Sequence, residues 1–355
     1  MTPSLNRLGL NVPLAIGTLQ WGTTLFDHKV INSKGGCLSD ETCRDIVNEI
    51  QAAGVTLIDT AEGYGGGTSE KRIGRLFADQ QGHNMIFMTK FLPVPWRGSH
   101  ASLEWAVRNS CEKLQVSCID VYLLHSPVHW RSIEFWVESV AICKTRGLVK
   151  SMGLSNANAD QVRRAVQAGR IYGIDIVCNQ VHYSLLDYKS QPLQEMEATC
   201  RELNVTIVAF SPIGQGLLTD GLTDEKWQAN KPAKMLRLKR SDIDPLRSVI
   251  SDLAKKYDKS MAQIAINWCI RHDVVPLVGC RSLKQAKDSL GSLGWSLEKE
   301  DVERLDQVSL DRSTLQSPPW RRALFVSLFG VVNMICRTLD YWGYGNAPAL
   351  LQPEA

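Results

Sequence analysis

The run Val55-Thr56-Leu57-Ile58-Asp59-Thr60-Ala61-Glu62-Gly63-Tyr64-Gly65 decides how this chain folds. Its front half is short, apolar and rich in branched residues, as a buried strand is. The strand closes on an acid, Asp59, and small residues then lead to a phenol, Tyr64, five positions on. Barrel enzymes carry their chemistry at the carboxyl ends of their strands, so this acid and phenol are candidate site residues. Taken alone, Asp59 reads better as the N-cap of the next helix and Tyr64 as a half-buried surface ring. The flanking sequence separates the two readings.

Working outward, a strand-then-helix unit recurs. Strand 55–59 leads to helix 69–80, strand 85–90 to helix 100–115, and strand 119–124 to helix 131–146. Strand 148–153 leads to helix 158–168, strand 174–179 to helix 190–203, and strand 205–210 to helix 245–257. A further helix at 260–272 precedes strand 274–279, which leads to helix 282–291. Upstream, Leu14 to Gly22 reads as the first strand, and Ser39 and Asp40 cap a helix running to about Ala53, with a Gly54 stop. Most of the strands are near-continuous apolar runs such as Thr206-Ile207-Val208-Ala209-Phe210, the pattern of parallel strands covered on both faces. Eight strands, each followed by a helix, predict an α/β domain of the (β/α)8 TIM barrel type rather than a doubly wound sheet.

The ends carry additions. Residues 7–14 read as a small N-terminal β-hairpin turning near Leu10-Asn11, and 298–309 as an amphipathic C-terminal helical extension. We expect the barrel domain to span 1–316 and a distinct tail to occupy 317–355. Within that tail, the apolar run Ala323 to Ile335 is too short to span a bilayer. Packing on the barrel or over its mouth is the favoured reading. A peripheral membrane or protein contact is the alternative, suggested by Arg322, Arg337, Trp320, Tyr341 and Trp342. The longest aperiodic stretch inside the barrel, 212–244, falls where barrel enzymes hold phosphates.

With 44% hydrophobic and 22% charged residues, the composition is that of a soluble globular protein. A net charge of only +3 gives no electrostatic case for a nucleic-acid partner. The ten cysteines are scattered singly, with no Cys-x-x-Cys pair or Cys/His cluster, so no metal site is expected. The first seven residues contain no apolar signal core. The expected compartment is the cytoplasm, with the plastid retained should a transit peptide have been removed.

Three further strand ends join the opening one. Met85-Ile86-Phe87-Met88-Thr89-Lys90 closes on a lysine, Val121-Tyr122-Leu123-Leu124-His125 on a histidine, and the fifth strand on Ser155-Asn156. Each has a plain explanation: a snorkelling lysine, a core histidine, a turn. Together, an acid, a lysine and a histidine at consecutive strand ends face one mouth. A phenol titrates near about 10 and is a poor proton donor at neutral pH unless tuned. A lysine ammonium beside it favours the phenolate, a carboxylate keeps that lysine charged, and a histidine can orient a carbonyl oxygen by hydrogen bonding. Tyr64 thus reads as the acid, with Lys90, Asp59 and His125 around it. The matching hydride is beyond any side chain, which implies a nicotinamide cofactor.

On these residues the chain resembles the aldo-keto reductase family over roughly 7–310. The Asp-Thr-Ala-x-x-Tyr-Gly pattern stands at Asp59 to Gly65, the lysine strand at Thr89-Lys90, and the histidine strand at Leu124-His125. The resemblance implies catalysis by Asp59, Tyr64, Lys90 and His125, with NADP(H) extended over the barrel mouth. It implies that Ser155, Asn156 and Gln180 hold the nicotinamide carboxamide, and that Phe210 stacks on the ring where relatives usually have tyrosine. Ser211-Pro212-Ile213-Gly214-Gln215-Gly216-Leu217 is similar to the family's phosphate loop. Gly279, Arg281, Ser282, Gln285 and Asp288 fall on the adenosine 2′-phosphate segment, though Ser289 replaces its usual asparagine. Local sequence looks most like plant, algal and cyanobacterial members, near pyridoxal reductases and potassium-channel β-subunits. The function this implies is NADPH-dependent reduction of an aldehyde or ketone. The alternative is a slowly turning, redox-sensing regulatory subunit of a membrane protein. Trp21, Phe26, Trp96 and Trp130 are candidate pocket walls.

Overall fold

Strands without a polar face need cover on both sides, and here eight of them find it by closing on themselves. The computed structural model describes residues 3–22, 38–78, 84–229 and 238–311. The strands are β1 (Ala15–Gly17), β2 (Leu57–Asp59), β3 (Ile86–Phe91), β4 (Ile119–Leu124), β5 (Val149–Ser155), β6 (Ile176–His182), β7 (Thr206–Phe210) and β8 (Val275–Gly279). They form a closed barrel in chain order. The seam is β1 on β8, parallel, with Ala15 opposite Leu277 and Gly17 opposite Gly279. Because every strand runs the same way, all eight carboxyl ends open on one rim.

Helices sheathe the barrel: α2 (Asp40–Ala52), α3 (Thr68–Phe77), α4 (His100–Leu114), α5 (Ile133–Thr145), α6 (Ala159–Tyr172) and α7 (Gln191–Glu202). After the short α8 (Asp224–Ala229) come α9 (Arg240–Tyr257), α10 (Met261–Arg271), α11 (Leu283–Leu290) and α12 (Lys299–Val308). Local capping fixes where many of them start. Ser99 caps α4, Asn158 caps α6 and Ser260 caps α10, and each cap's own amide donates in return to the side chain of the third helical residue. The apolar layer between strands and helices is separate from a smaller one inside the barrel, which includes Leu57, Met88, Leu123, Val208 and Leu277.

Three expectations need correcting. No N-terminal hairpin forms; residues Pro3–Leu8 are a helix, α1, ended by Gly9 at φ 66°. The reason is spacing: Leu5 and Leu8 lie on one helical face, and with Leu10 they plug the amino end of the inner core. Ser4 Oγ donates to Asp273 O at 2.8 Å and fastens the plug. The first strand is three residues long, because Leu19–Trp21 turns into a 3-10 segment. Finally, the stretch after β7 is partly ordered into α8, and α9 starts ahead of Pro245, where Asp242 Oδ2 accepts from Lys239 N at 2.8 Å. The expected domain boundary and tail, 317–355, lie outside the described residues, as does Phe26. Among the described residues no helix is long and apolar enough to cross a membrane.

Candidate active site

The rim brings the four strand-end residues together around Lys90. Its ammonium donates to both Asp59 carboxylate oxygens at 2.6 Å, to Thr60 O at 2.8 Å and to Tyr64 Oη at 3.2 Å. Lys90 and Asp59 are buried. The His125 ring meets the Tyr64 ring edge-on, with centroids 6.0 Å apart. Gln180, from the far side of the barrel, donates Nε2 to Asp59 Oδ1 at 2.8 Å.

Hydroxyl groups hold the acid's strand end in place. Thr18 Oγ1 donates to Asp59 O at 2.9 Å and lies 2.8 Å from Ser69 Oγ, which is itself 3.0 Å from Thr60 Oγ1. These bonds lock the end of β2 to β1 and to the first turn of α3. Between them, Tyr64 opens a tight turn in which Gly65, Gly66 and Gly67 all have positive φ (58°, 64° and 99°). Only glycine adopts three such conformations in a row without strain.

Burial sets the charges. Desolvation works against the Lys90 ammonium, but Asp59, then Tyr64, outweighs it and holds the lysine above its ordinary value. Desolvation lifts Asp59, opposed by Lys90 and by the donation from Gln180. With both oxygens accepting from Nζ, the pair stands as carboxylate and ammonium. The Tyr64 phenol is pushed up by burial; Lys90 pulls it down and Asp59 adds to the rise. The sequence argument had Lys90 bringing the phenol toward working range, and in the folded site desolvation outweighs it. Tyr64 therefore keeps its proton. His125 is held down at about 3 by burial and then by Lys90, so its imidazole is neutral, and its buried Nδ1 has no partner among the described residues.

The residues assigned to a cofactor divide between two parts of the rim. Ser155 ends β5; Asn156, at φ 59°, donates Nδ2 to Ser155 Oγ at 3.0 Å and its main-chain N–H to Gln180 O at 2.9 Å. Phe210 ends β7, edge-on to His182 at 5.4 Å. Past it, Ser211 has φ 57°, Pro212 is buried, and Gly214 to Gly216 turn tightly into the buried Leu217. The Leu217 and Thr219 carbonyls accept from Arg247 Nη1. A Cβ on Gly214 would lie 2.5 Å from Leu186 Cδ1, whereas above Gly216, at φ 93°, the space is open. Across the seam, Arg281 N donates to Gln285 Oε1 at 2.8 Å, and Ser282 Oγ caps α11. Gly279 packs near Gln20, whose Oε1 is buried without a partner among the described residues. Open backbone at Gly216 and unpartnered polar atoms at His125 and Gln20 are what a bound polar, phosphate-bearing cofactor would satisfy. The residues present fit a nicotinamide dinucleotide. Asp288 differs, because its Oδ1 already accepts from Ser260 Oγ at 2.9 Å and Gln263 Nε2 at 3.2 Å.

Of the expected pocket walls, Trp21 is buried and donates Nε1 to Cys280 O, so it braces the β1–β8 seam instead. Trp96 and Trp130 are exposed on the loops after β3 and β4. Trp130 packs on Gly98, donates Nε1 to Pro95 O at 2.9 Å, and carries the Arg131 guanidinium 4.1 Å from its ring centre.

The closed (β/α)8 barrel thus gathers a carboxylate–ammonium pair, a protonated phenol and a neutral imidazole at one rim. The chain belongs to the aldo/keto reductase family, whose model matches residues 13–310. That family performs nicotinamide-dependent reduction of carbonyl compounds. The chain is 28% identical over 319 residues to the chloroplastic pyridoxal reductase of Arabidopsis thaliana, covering 86% of this chain and 85% of that one. It is 24% identical over 335 residues to an NADH-specific methylglyoxal reductase of Escherichia coli strain K12, covering 86% and 95%. In fold it is similar to a Bombyx mori aldo-keto reductase solved in complex with NADP, with TM-score 0.64 and 24% identity over 86% of this chain and 91% of that one.

Sequence reasoning missed the supports: Thr18 and Ser69, the Gln180 bond to Asp59, and the Glu62–Arg97 pair. Glu62 stood inside the opening run, but nothing local marked its partner.

Proposed function

We propose that this protein is an NADPH-dependent reductase of aldehydes or ketones in which Tyr64 delivers the proton. The observation that carries the reading is Lys90 Nζ, within hydrogen-bond reach of Asp59 and Tyr64 at once. A bound nicotinamide supplies the hydride that no side chain holds. Neutral His125 orients the carbonyl oxygen by donating a hydrogen bond. Tyr64 keeps its proton at Oη until negative charge develops on that oxygen, then transfers it. Lys90, kept charged by Asp59, stabilises the phenolate left behind. Ser155, Asn156 and Gln180 would hold the carboxamide, Phe210 the ring face, and the backbone of Ser211 to Leu217 the phosphates. Gly279, Arg281, Ser282 and Gln285 would take the adenosine end.

The preference for NADPH over NADH rests on Arg281. Its side chain has no carboxylate partner among the described residues, and its planar fork suits a phosphate. Arg281→Ala should raise the KM for NADPH about tenfold or more while sparing NADH. Equal effects on both would remove the argument. Two relatives are named for aldehydes, pyridoxal and methylglyoxal. A panel of these and simple aromatic aldehydes, followed by NADPH oxidation, tests the activity. Tyr64→Phe should lose at least about 100-fold in kcat, and undiminished turnover would end the proposed role.

We assign the catalytic unit to residues 1–316. Its compartment is the cytoplasm or, as for the relative named chloroplastic, the plastid; a fluorescent fusion distinguishes them. Nothing among the described residues favours the regulatory-subunit alternative.

A further inference from the structure

Glu62 lies between Asp59 and Tyr64 in the chain, and it is bound on three sides to the segment that carries Lys90. Its amide donates to Lys90 O at 3.3 Å. Its Oε1 accepts from Leu92 N at 2.7 Å and Arg97 Nη1 at 2.5 Å, and its Oε2 accepts from Arg97 Nη2 at 3.2 Å. Arg97 also donates to Leu92 O at 3.2 Å and lies 4.3 Å over the Phe91 ring. The same segment sets the histidine, since His125 N donates to Phe91 O at 2.9 Å. The carboxylate side chain is 3% exposed and the arginine 15%, so this is a forked ion pair largely closed to water.

On the other side of Tyr64 the turn is closed by Thr68, whose amide donates to Tyr64 O and Gly65 O and whose Oγ1 donates to Gly65 O at 2.9 Å. Those bonds fix the path of the three glycines, and the bonds to Glu62 fix the turn against the strand that carries Lys90.

We infer that the Glu62–Arg97 pair is the positioning device that sets the 3.2 Å contact between Tyr64 Oη and Lys90 Nζ, so that Arg97 governs proton delivery without contacting cofactor or substrate. This rests on the reading of Tyr64 as proton donor. Without Arg97 the buried Glu62 carboxylate loses its forked donor, and the Tyr64 turn shifts as a unit relative to the strand that carries Lys90. A displacement of about 1 Å at a reacting group lowers turnover by about 100-fold.

The test compares Arg97→Leu, Arg97→Lys and Tyr64→Phe with wild type, reading kcat, the Kd for NADPH by fluorescence, and thermal unfolding. Arg97→Leu should lower kcat about 10- to 100-fold with the NADPH Kd unchanged, and Arg97→Lys should recover most of the loss. Full turnover in Arg97→Leu would overturn the inference. So would parallel losses of kcat and NADPH binding, or a lysine variant no better than leucine. Should Arg97→Leu not fold, Glu62→Gln carries the test: it keeps the side-chain shape and should lower kcat without altering the Kd. An active Tyr64→Phe would remove the underlying reading. An inactive Tyr64→Phe beside a fully active Arg97→Leu overturns only this inference.

Discussion

Lys90 Nζ stands 2.6 Å from both carboxylate oxygens of Asp59, and the two side chains are 0% and 1% exposed. A pair this deep is held together by what each partner would suffer alone. Removing one charge from a buried pair costs about 3–5 kcal/mol, because the other remains without a counter-ion. Lys90→Met and Asp59→Asn should therefore each reduce stability and turnover together. The double variant should regain much of the stability and none of the activity. Urea unfolding alongside initial rates checks this, and a single variant as stable as wild type would refute it.

His125 makes stability depend on acid. Its folded value of about 3 lies below the ordinary 6.5, so unfolding takes up a proton at any pH between them. The contribution is complete above 6.5 and shrinks as pH falls toward 3. Between about pH 7.5 and 4.5, wild type should lose about 2 kcal/mol more stability than His125→Gln. Identical pH slopes for the two proteins would contradict a neutral, desolvated imidazole.

How far the sequence foretold this arrangement depends on chain distance. Strands such as Thr206–Phe210 were legible because an unbroken apolar run has only a doubly covered parallel strand to occupy. That Asp59, Tyr64, Lys90 and His125 would share one rim was legible because each closes such a run or follows it within five residues. The helix at Pro3–Leu8 was hidden because residues 7–14 read as a hairpin turning near Leu10-Asn11, although the Leu5–Leu8 spacing was present. The Gln180 bond to Asp59 spans 121 positions and the Arg97 bond to Glu62 spans 35, so neither leaves a local pattern. Nor could residue types alone show that burial outweighs Lys90 at the Tyr64 phenol.

Gly67 offers a separate check on the tyrosine turn. At φ 99° a side chain is strained, and an added Cβ would sit 2.3 Å from Lys113 Nζ. The lysine tip can move aside; the backbone cannot. Gly67→Ala should lower stability by about 1–3 kcal/mol and reduce kcat with it. A neutral effect in calorimetry would show that the turn adapts.

A thiol titration completes the set. The eight described cysteines are all free, seven of them buried and Cys118 intermediate. Burial pushes Cys111 and Cys143 up to about 11 and Cys200 and Cys280 up to about 12, and lifts Cys178 and Cys269 further. The seven buried thiols should react with an aromatic disulfide reagent only after unfolding, and rapid modification of them in the native protein would contradict their burial.

That burial bears on the enzyme's working life. Carbonyl compounds are electrophiles, and an accessible thiolate forms adducts with the more reactive of them. By keeping the seven buried sulfurs protonated and packed out of reach, the fold withholds those nucleophiles from the carbonyl compounds the family reduces. The packing that closes the core also shields those seven side chains from reactive carbonyls.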